Sequence, residues 1–245
     1  MIMIKKPKFW DNSNFNFLSI LLFPLTIPIR LNNLFINFTS KIKNEKIFSI
    51  CVGNIYVGGT GKTPTTIKLF EILEKINQST VTAKKFYKSH NDEEKLLKQK
   101  TNFISEMNRL EIINKAIKKR YKIIIFDDGL QDKKIDYNLK FVCFDTKSWI
   151  GNGHLIPSGP LRENLNSLKK FDAVFLKYVK NPNSKISSII KKINPKIKVF
   201  LSKYRINNLK SFNLSKKYLI FSGIGNPESF KSLLKINKFN IIKCL

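Results

Sequence analysis

Lys62 and Thr63 close the run CVGNIYVGGTGKTPTT at 51–66, and their types and neighbours suit a phosphate site. Gly58, Gly59 and Gly61 carry no side chain, so backbone N–H groups there can turn toward a phosphate without steric cost. Lys62 would pair with β- and γ-phosphate charge, and the Thr63 hydroxyl would ligate Mg²⁺. The amino end of a following helix would add its dipole. The usual spacing G-x-x-x-x-G-K-[ST] is not met, because Tyr56 stands five places before Gly61. Two further groups carry chemistry. Asp127-Asp128 follow the apolar run IIIF, and paired carboxylates at a strand end beside a glycine loop are suited to holding Mg²⁺. In GNGHLIPSGPLRE at 151–163, Arg162 could clamp a phosphate bidentately and Glu163 could reach a metal.

Positioning these groups requires strands and helices in a definite order. Residues 46–52 (KIFSICV) read as a short buried strand. After the glycine loop, Ile67, Phe70, Ile72, Leu73 and Ile76 recur at helical spacing. Strand, loop and helix in that order is the context a phosphate loop needs. Further strands are predicted at 122–126, 140–144, 172–176, 197–201 and 218–221, with helices at 106–119 and around Ile186–Ile193. The polar stretch 80–103 reads as a loop or short helix outside the core. Alternating strands and helices predict an α/β fold, a mostly parallel sheet covered by helices on both faces.

The composition narrows the class. With 245 residues, 42% hydrophobic and 12% aromatic, the chain can bury a sizeable core. Its 45 Lys+Arg against 17 Asp+Glu give a net charge of +28, which favours polyanionic partners such as nucleic acid or an anionic membrane surface. A Lys-, Asn- and Ile-rich bias accounts for part of that excess. Cys51, Cys143 and Cys244 lie far apart, and the histidines are His90 and His154, a pattern that suits neither a disulfide scaffold nor a Cys/His zinc site. The apolar run 15–31 is interrupted by Pro24, Pro28 and Arg30, short of the about 20 residues a spanning helix needs. An interfacial helix flanked by Lys5, Lys6, Lys8 and Arg30 is one reading, and a helix packed on the protein's own core is the other.

In combination and order, VGNIYVGGTGKTP at 52–64, DDGLQ at 127–131, GNGHLIPSGPLRE at 151–163 and SGIGNP at 222–227 resemble the tetraacyldisaccharide 4′-kinase family, the lipid A 4′-kinases of Gram-negative bacteria. The resemblance runs from the N-terminal apolar segment to the last residue. It implies a P-loop NTPase-like core that transfers the ATP γ-phosphate to the 4′-hydroxyl of an acylated glucosamine disaccharide 1-phosphate, giving lipid IVA, with ATP and Mg²⁺ as cofactors. It implies a place on the cytoplasmic face of the inner membrane, peripheral or monotopic, where the basic surface meets anionic headgroups. No nucleic acid and no obligatory protein partner are expected.

Carried over by motif, the ATP loop is Tyr56, Val57, Gly58, Gly59, Thr60, Gly61, Lys62 and Thr63, joined by Gln131. Metal ligation falls to Thr63, Asp127, Asp128 and Glu163, and catalysis to Lys62, Arg162 and a base. The family's R-G-Y-G-G and G-D-E-P motifs are not intact in AKKFYKSHNDEEKLL; Asp92 is the candidate base, and Lys84 stands where the arginine would be. The family continues through an acidic-His motif, whereas this sequence stops at NIIKCL, so a fragment of a longer protein is expected. The implied organisation is a membrane-associating segment at 1–40, a kinase core at 41–215 and the start of a second α/β lobe at 216–245. Two other readings stay open at this point: a nucleic-acid-associated P-loop ATPase and a non-catalytic nucleotide-binding membrane protein.

Overall fold

A computed structural model describes residues 6–11, 16–35, 42–86, 91–132, 134–179, 184–223 and 227–244. His90 and residues 224–226 of the SGIGNP motif lie outside the described residues. Among them, β1 (Phe48–Gly53), β2 (Thr80–Lys85), β3 (Phe103–Glu106), β4 (Ile123–Asp127), β5 (Leu139–Asp145), β6 (Ala173–Lys177) and β7 (Lys198–Ser202) form one sheet. Its order is β3-β2-β4-β1-β5-β6-β7, and every neighbouring pair is parallel. The helices α3 (Lys62–Lys75), α4 (Asn91–Lys100), α5 (Arg109–Lys118) and α6 (Ser184–Ile193) lie on the crossovers.

Period-two alternation along each strand divides the core into two layers. Cys51, Val81, Ala83, Ile124, Phe126, Val142, Phe144, Val174 and Leu176 meet Ile112, Ile113 and Ala116 of α5 and Ile186 and Ile190 of α6. Ile50, Val52, Ile125 and Cys143 face the other way, against Phe70, Leu69 and Leu73 of α3. The predicted fold class is therefore the observed one. Strands run to both sides of β1, so the crevice outside their carboxyl ends is the natural ligand site.

The stretch 80–103 departs from expectation. It contributes β2, the helix α4 and β3, and β2 lies next to β4 well inside the sheet. The polar look of TVTAKK is misleading because its hydroxyls are satisfied internally. Thr82 Oγ1 donates to Asn102 O at 3.1 Å and shares a hydrogen bond with Thr101 Oγ1, while Val81 and Ala83 enter the core. The helix predicted from 106 begins at Arg109, where the Asn108 side chain accepts from Leu110 N at 3.0 Å and caps it. The predicted strand at 218–221 is β8 (Lys217–Ile220). It pairs in parallel with β9 (Asn240–Cys244) beneath α7 (Pro227–Ile236), around a small core of Ile220, Leu234 and Phe239.

Before β1, α1 (Phe17–Leu22) and α2 (Ile27–Phe35) are joined by a 3₁₀ turn at Phe23–Thr26 containing Pro24. Their inward contacts are polar: Ser19 and Thr26 are buried, while Phe17 is 69% and Leu21 61% exposed. Among the described residues, no helix is long and apolar enough to cross a membrane.

Candidate active site

The site is assembled by strand parity. Asp127 follows Phe126 and therefore points to the α3 side of the sheet, where it is completely buried. There its carboxylate accepts hydrogen bonds from two hydroxyls of α3, Thr63 Oγ1 at 2.9 Å to Oδ2 and Thr66 Oγ1 at 3.4 Å to Oδ1. Lys84, on the same face at the end of β2, brings its Nζ to 3.2 Å from Asp127 Oδ2. Burial pushes the Asp127 carboxyl up, against the pull of Lys84, Lys62 and the Thr63 hydroxyl.

Above this floor lies the glycine loop. Gly61 holds the left-handed conformation, φ 89°, at the point where the chain turns into α3, a conformation glycine adopts at no Cβ penalty. Asn54 braces the loop from within: its Nδ2 donates to Tyr56 O, to Gly58 O at 3.2 Å and to Thr60 Oγ1 at 3.1 Å. Gly58 and Gly59 are exposed at the loop surface. The 151–163 loop docks alongside, with Val57 N donating to Pro160 O at 2.8 Å and Arg162 N to Ile55 O at 2.7 Å.

Asp128 begins a tight turn with φ 66°. Its carboxylate lies 3.5 Å from Lys62 Nζ and 3.5 Å from Arg162 Nη1. Burial alone would raise this carboxyl, but Lys62, Arg162 and Lys84 hold it below the usual carboxylate range. Arg162 Nη1 also donates to Gln131 Oε1 at 3.2 Å, and Gln131 Nε2 reaches Asn54 O at 2.9 Å and Glu163 Oε1 at 3.4 Å. Residues from the three sequence motifs thus converge on one end of β1 and β4. Arg109 secures the turn from behind, donating to Asp128 O and to Asp132 Oδ2 at 2.6 Å each. Gly53 is needed here because a Cβ would lie 2.5 Å from Leu130 Cγ of that turn.

Comparison with known proteins shows which family the chain belongs to. The sequence profile described as tetraacyldisaccharide-1-P 4′-kinase matches residues 18–83 and 76–245. The tetraacyldisaccharide 4′-kinase of Pelagibacter ubique is 46% identical over 242 residues, covering 99% of this chain and 77% of that one. The chain belongs to the tetraacyldisaccharide 4′-kinase family. The enzyme of the same name from Rickettsia akari is 34% identical, covering 98% of this chain and 77% of its own length. An LpxK from Aquifex aeolicus, crystallised in complex with ATP, shares the fold with a TM-score of 0.69 at 21% identity, covering 93% of this chain and 81% of that one. Family membership selects the ATP-dependent lipid A kinase among the three readings the motifs left open.

Within this candidate site, the residues expected from the motifs have varied surroundings. The Tyr56 ring is buried and turned from the loop surface; its hydroxyl donates to Asp11 Oδ1 at 2.8 Å and accepts from Lys6. The Val57 amide is occupied by Pro160. Asp92 is exposed on the first turn of α4, and the described contact from that turn to the site comes from Glu93, whose carboxylate accepts from Lys84 Nζ. The four expected metal ligands are not a single cage: no group of three His, Cys, Asp or Glu side chains gathers for a metal among the described residues. Asp128 is engaged by Lys62 and Arg162, and Glu163 faces Gln131. Thr63 and Asp127 remain, two hard oxygen donors 2.9 Å apart. They fit magnesium, which takes one or two protein oxygens and completes its shell with phosphates and water.

Sequence reasoning missed Asn54, Glu93 and Arg109 as parts of the site, and likewise the second lysine–aspartate pair, Lys177 Nζ to Asp145 Oδ2 at 2.7 Å. One signal was available for the lysines. Lys84 is the penultimate residue of the mostly buried β2 and Lys177 the last of the mostly buried β6, both near the carboxyl ends of their strands.

Proposed function

We propose that this chain phosphorylates the 4′-hydroxyl of tetraacyldisaccharide 1-phosphate at the site between the glycine loop and Asp127. The observation that carries the reading is the hydrogen bond from the Thr63 hydroxyl to the buried Asp127 carboxylate beneath a left-handed Gly61. Thr63 and Asp127 would hold magnesium, which when bound supplies positive charge to the phosphate oxygens. Lys62 and Arg162, drawn together by Asp128, face the same region and offset charge on the transferring phosphoryl group. Gly58, Gly59 and Gly61 admit the phosphates closely, while Tyr56, Val57, Thr60 and Gln131 shape the loop rather than touch the nucleotide. Glu93 ties the first turn of α4 to Lys84, which leaves Asp92 exposed next to it to accept the proton of the sugar hydroxyl.

The substrate's acyl chains give the amino-terminal helices their role. Phe17, Leu21 and Leu25 present apolar surface, with Arg30 stacked on Phe23 at 4.8 Å, as in a segment that enters one leaflet. That segment rests on the 151–163 loop: Ser19 Oγ donates to Ser158 O at 2.8 Å, Trp10 Nε1 to Pro157 O at 3.0 Å and Asn33 Nδ2 to Arg162 O at 3.2 Å. The arrangement suits an enzyme lying on the cytoplasmic face of the inner membrane. Residues 1–40 are its membrane segment, 41–215 its kinase core and 216–245 the beginning of a second lobe.

Phosphorylation of the disaccharide with Mg-ATP tests the reading directly. Lys62→Ala is expected to lower turnover about a hundredfold or more. Undiminished 4′-phosphorylation by that variant would remove the loop from the mechanism.

A further inference from the structure

We propose that Lys84 is a second cation for the γ-phosphate, contacting it in the triphosphate complex and having no such contact with a diphosphate. The proposal rests on the kinase reading of the site and adds a residue to it. Lys84 is buried at 3% exposure, at the end of a strand whose alternation turns it toward α3. The register pairs Ala83 with Phe126, which sets Lys84 beside Asp127. Its ammonium reaches the same oxygen, Asp127 Oδ2, that accepts from the Thr63 hydroxyl. It therefore lies within a few ångströms of the groups that fit magnesium.

Its second described partner is Glu93, from the first turn of α4. A lysine ammonium has three N–H donors, so two carboxylates leave a donor for a further anion. Charge balance argues in the same direction. Lys62 sits against Asp128, and Lys84 against Asp127, so each acid of the pair has its own lysine. With magnesium held by Thr63 and Asp127, the Asp127 charge would be shared with the metal, and Lys84 would have a donor to offer the terminal phosphate. Phosphoryl transfer depends on such charge neutralisation at the equatorial oxygens. A lysine that merely neutralised Asp127 would be indifferent to the number of phosphates bound.

That difference supplies the test. Binding of Mg-ADP and of the non-hydrolysable triphosphate Mg-AMPPNP to the full chain is measured by titration calorimetry for wild type, Lys84→Met and Lys84→Arg. Lys84→Met is expected to weaken AMPPNP about tenfold or more while ADP stays within about twofold, and Lys84→Arg to recover most of the loss. Equal losses for both nucleotides, or no loss for either, overturn the proposal. A Glu93→Gln variant, which removes an anion competing for Lys84, should raise the preference for AMPPNP over ADP. An unchanged preference there overturns the proposal even if Lys84→Met fails to fold. Wild type that binds neither nucleotide points instead to failure of the kinase reading itself.

Discussion

Two buried lysine–aspartate pairs flank β1 like mirror images. On one side Lys84 of β2 meets Asp127 of β4 at 3.2 Å; on the other Lys177 of β6 meets Asp145 of β5 at 2.7 Å. Both aspartates are completely buried, and all four side chains leave the carboxyl ends of their strands on the same face of the sheet. Their surroundings are nevertheless different. The Asp127 pair lies beneath α3, which packs on β1, β2 and β4, and so meets Thr63 and Thr66. The Asp145 pair meets the Lys147 amide at 3.0 Å, Ser229 of α7 at 3.1 Å and the ring of Tyr204, 5.2 Å from Lys177 Nζ. On the proposed function the first pair serves phosphate chemistry, whereas the second joins α7 to the main sheet through Ser229.

Substitutions can break this asymmetry. Asp127→Asn removes the carboxylate that fits magnesium, and kcat should fall by about a thousandfold in the phosphorylation assay. Retention of a tenth of wild-type kcat would contradict the role assigned to that side. Asp145→Asn leaves Lys177 buried without its counter-charge, which should cost about 3–5 kcal/mol in urea unfolding. Its kcat, measured well below the unfolding transition, should change far less than that of Asp127→Asn. Were the two kinetic losses alike, the contrast between the pairs would disappear. The smallest effect is expected from Ser229→Ala, about 1 kcal/mol, the cost of losing the described hydrogen bond from α7 to Asp145. If hydrogen exchange in α7 is no faster in that variant, Ser229 does not join α7 to the sheet.

Much of the candidate phosphate site could be read along the chain because its parts are local. The strand before the loop, the glycines and the helix after it are contiguous, and their backbone requirements restrict residue type directly. The run IIIFDD is also self-announcing, as an apolar strand that stops in charge. Strand β2 was hidden for the opposite reason. Thr80, Thr82, Lys84 and Lys85 look solvated in one dimension, whereas Thr82 is satisfied by Asn102 and Lys84 by Asp127. Glu93 could not be preferred over Asp92 because the two are adjacent, and only the pose of α4 determines which one reaches Lys84.

By itself, the order of residues determined that a glycine turn lies between a strand and a helix, that acids end β4, and that the sheet is parallel with helices on the crossovers. These follow from backbone freedom and hydrophobic period, which act over a few residues. Which acid meets which cation was decided only in three dimensions. Strand parity turned Lys84, Asp127, Asp145 and Lys177 to one face, register placed them in neighbouring pairs, and α3 covered one pair while α7 met the other. Coulomb and hydrogen-bond energies depend on distances between groups far apart in the chain, and those distances exist only once the sheet has formed.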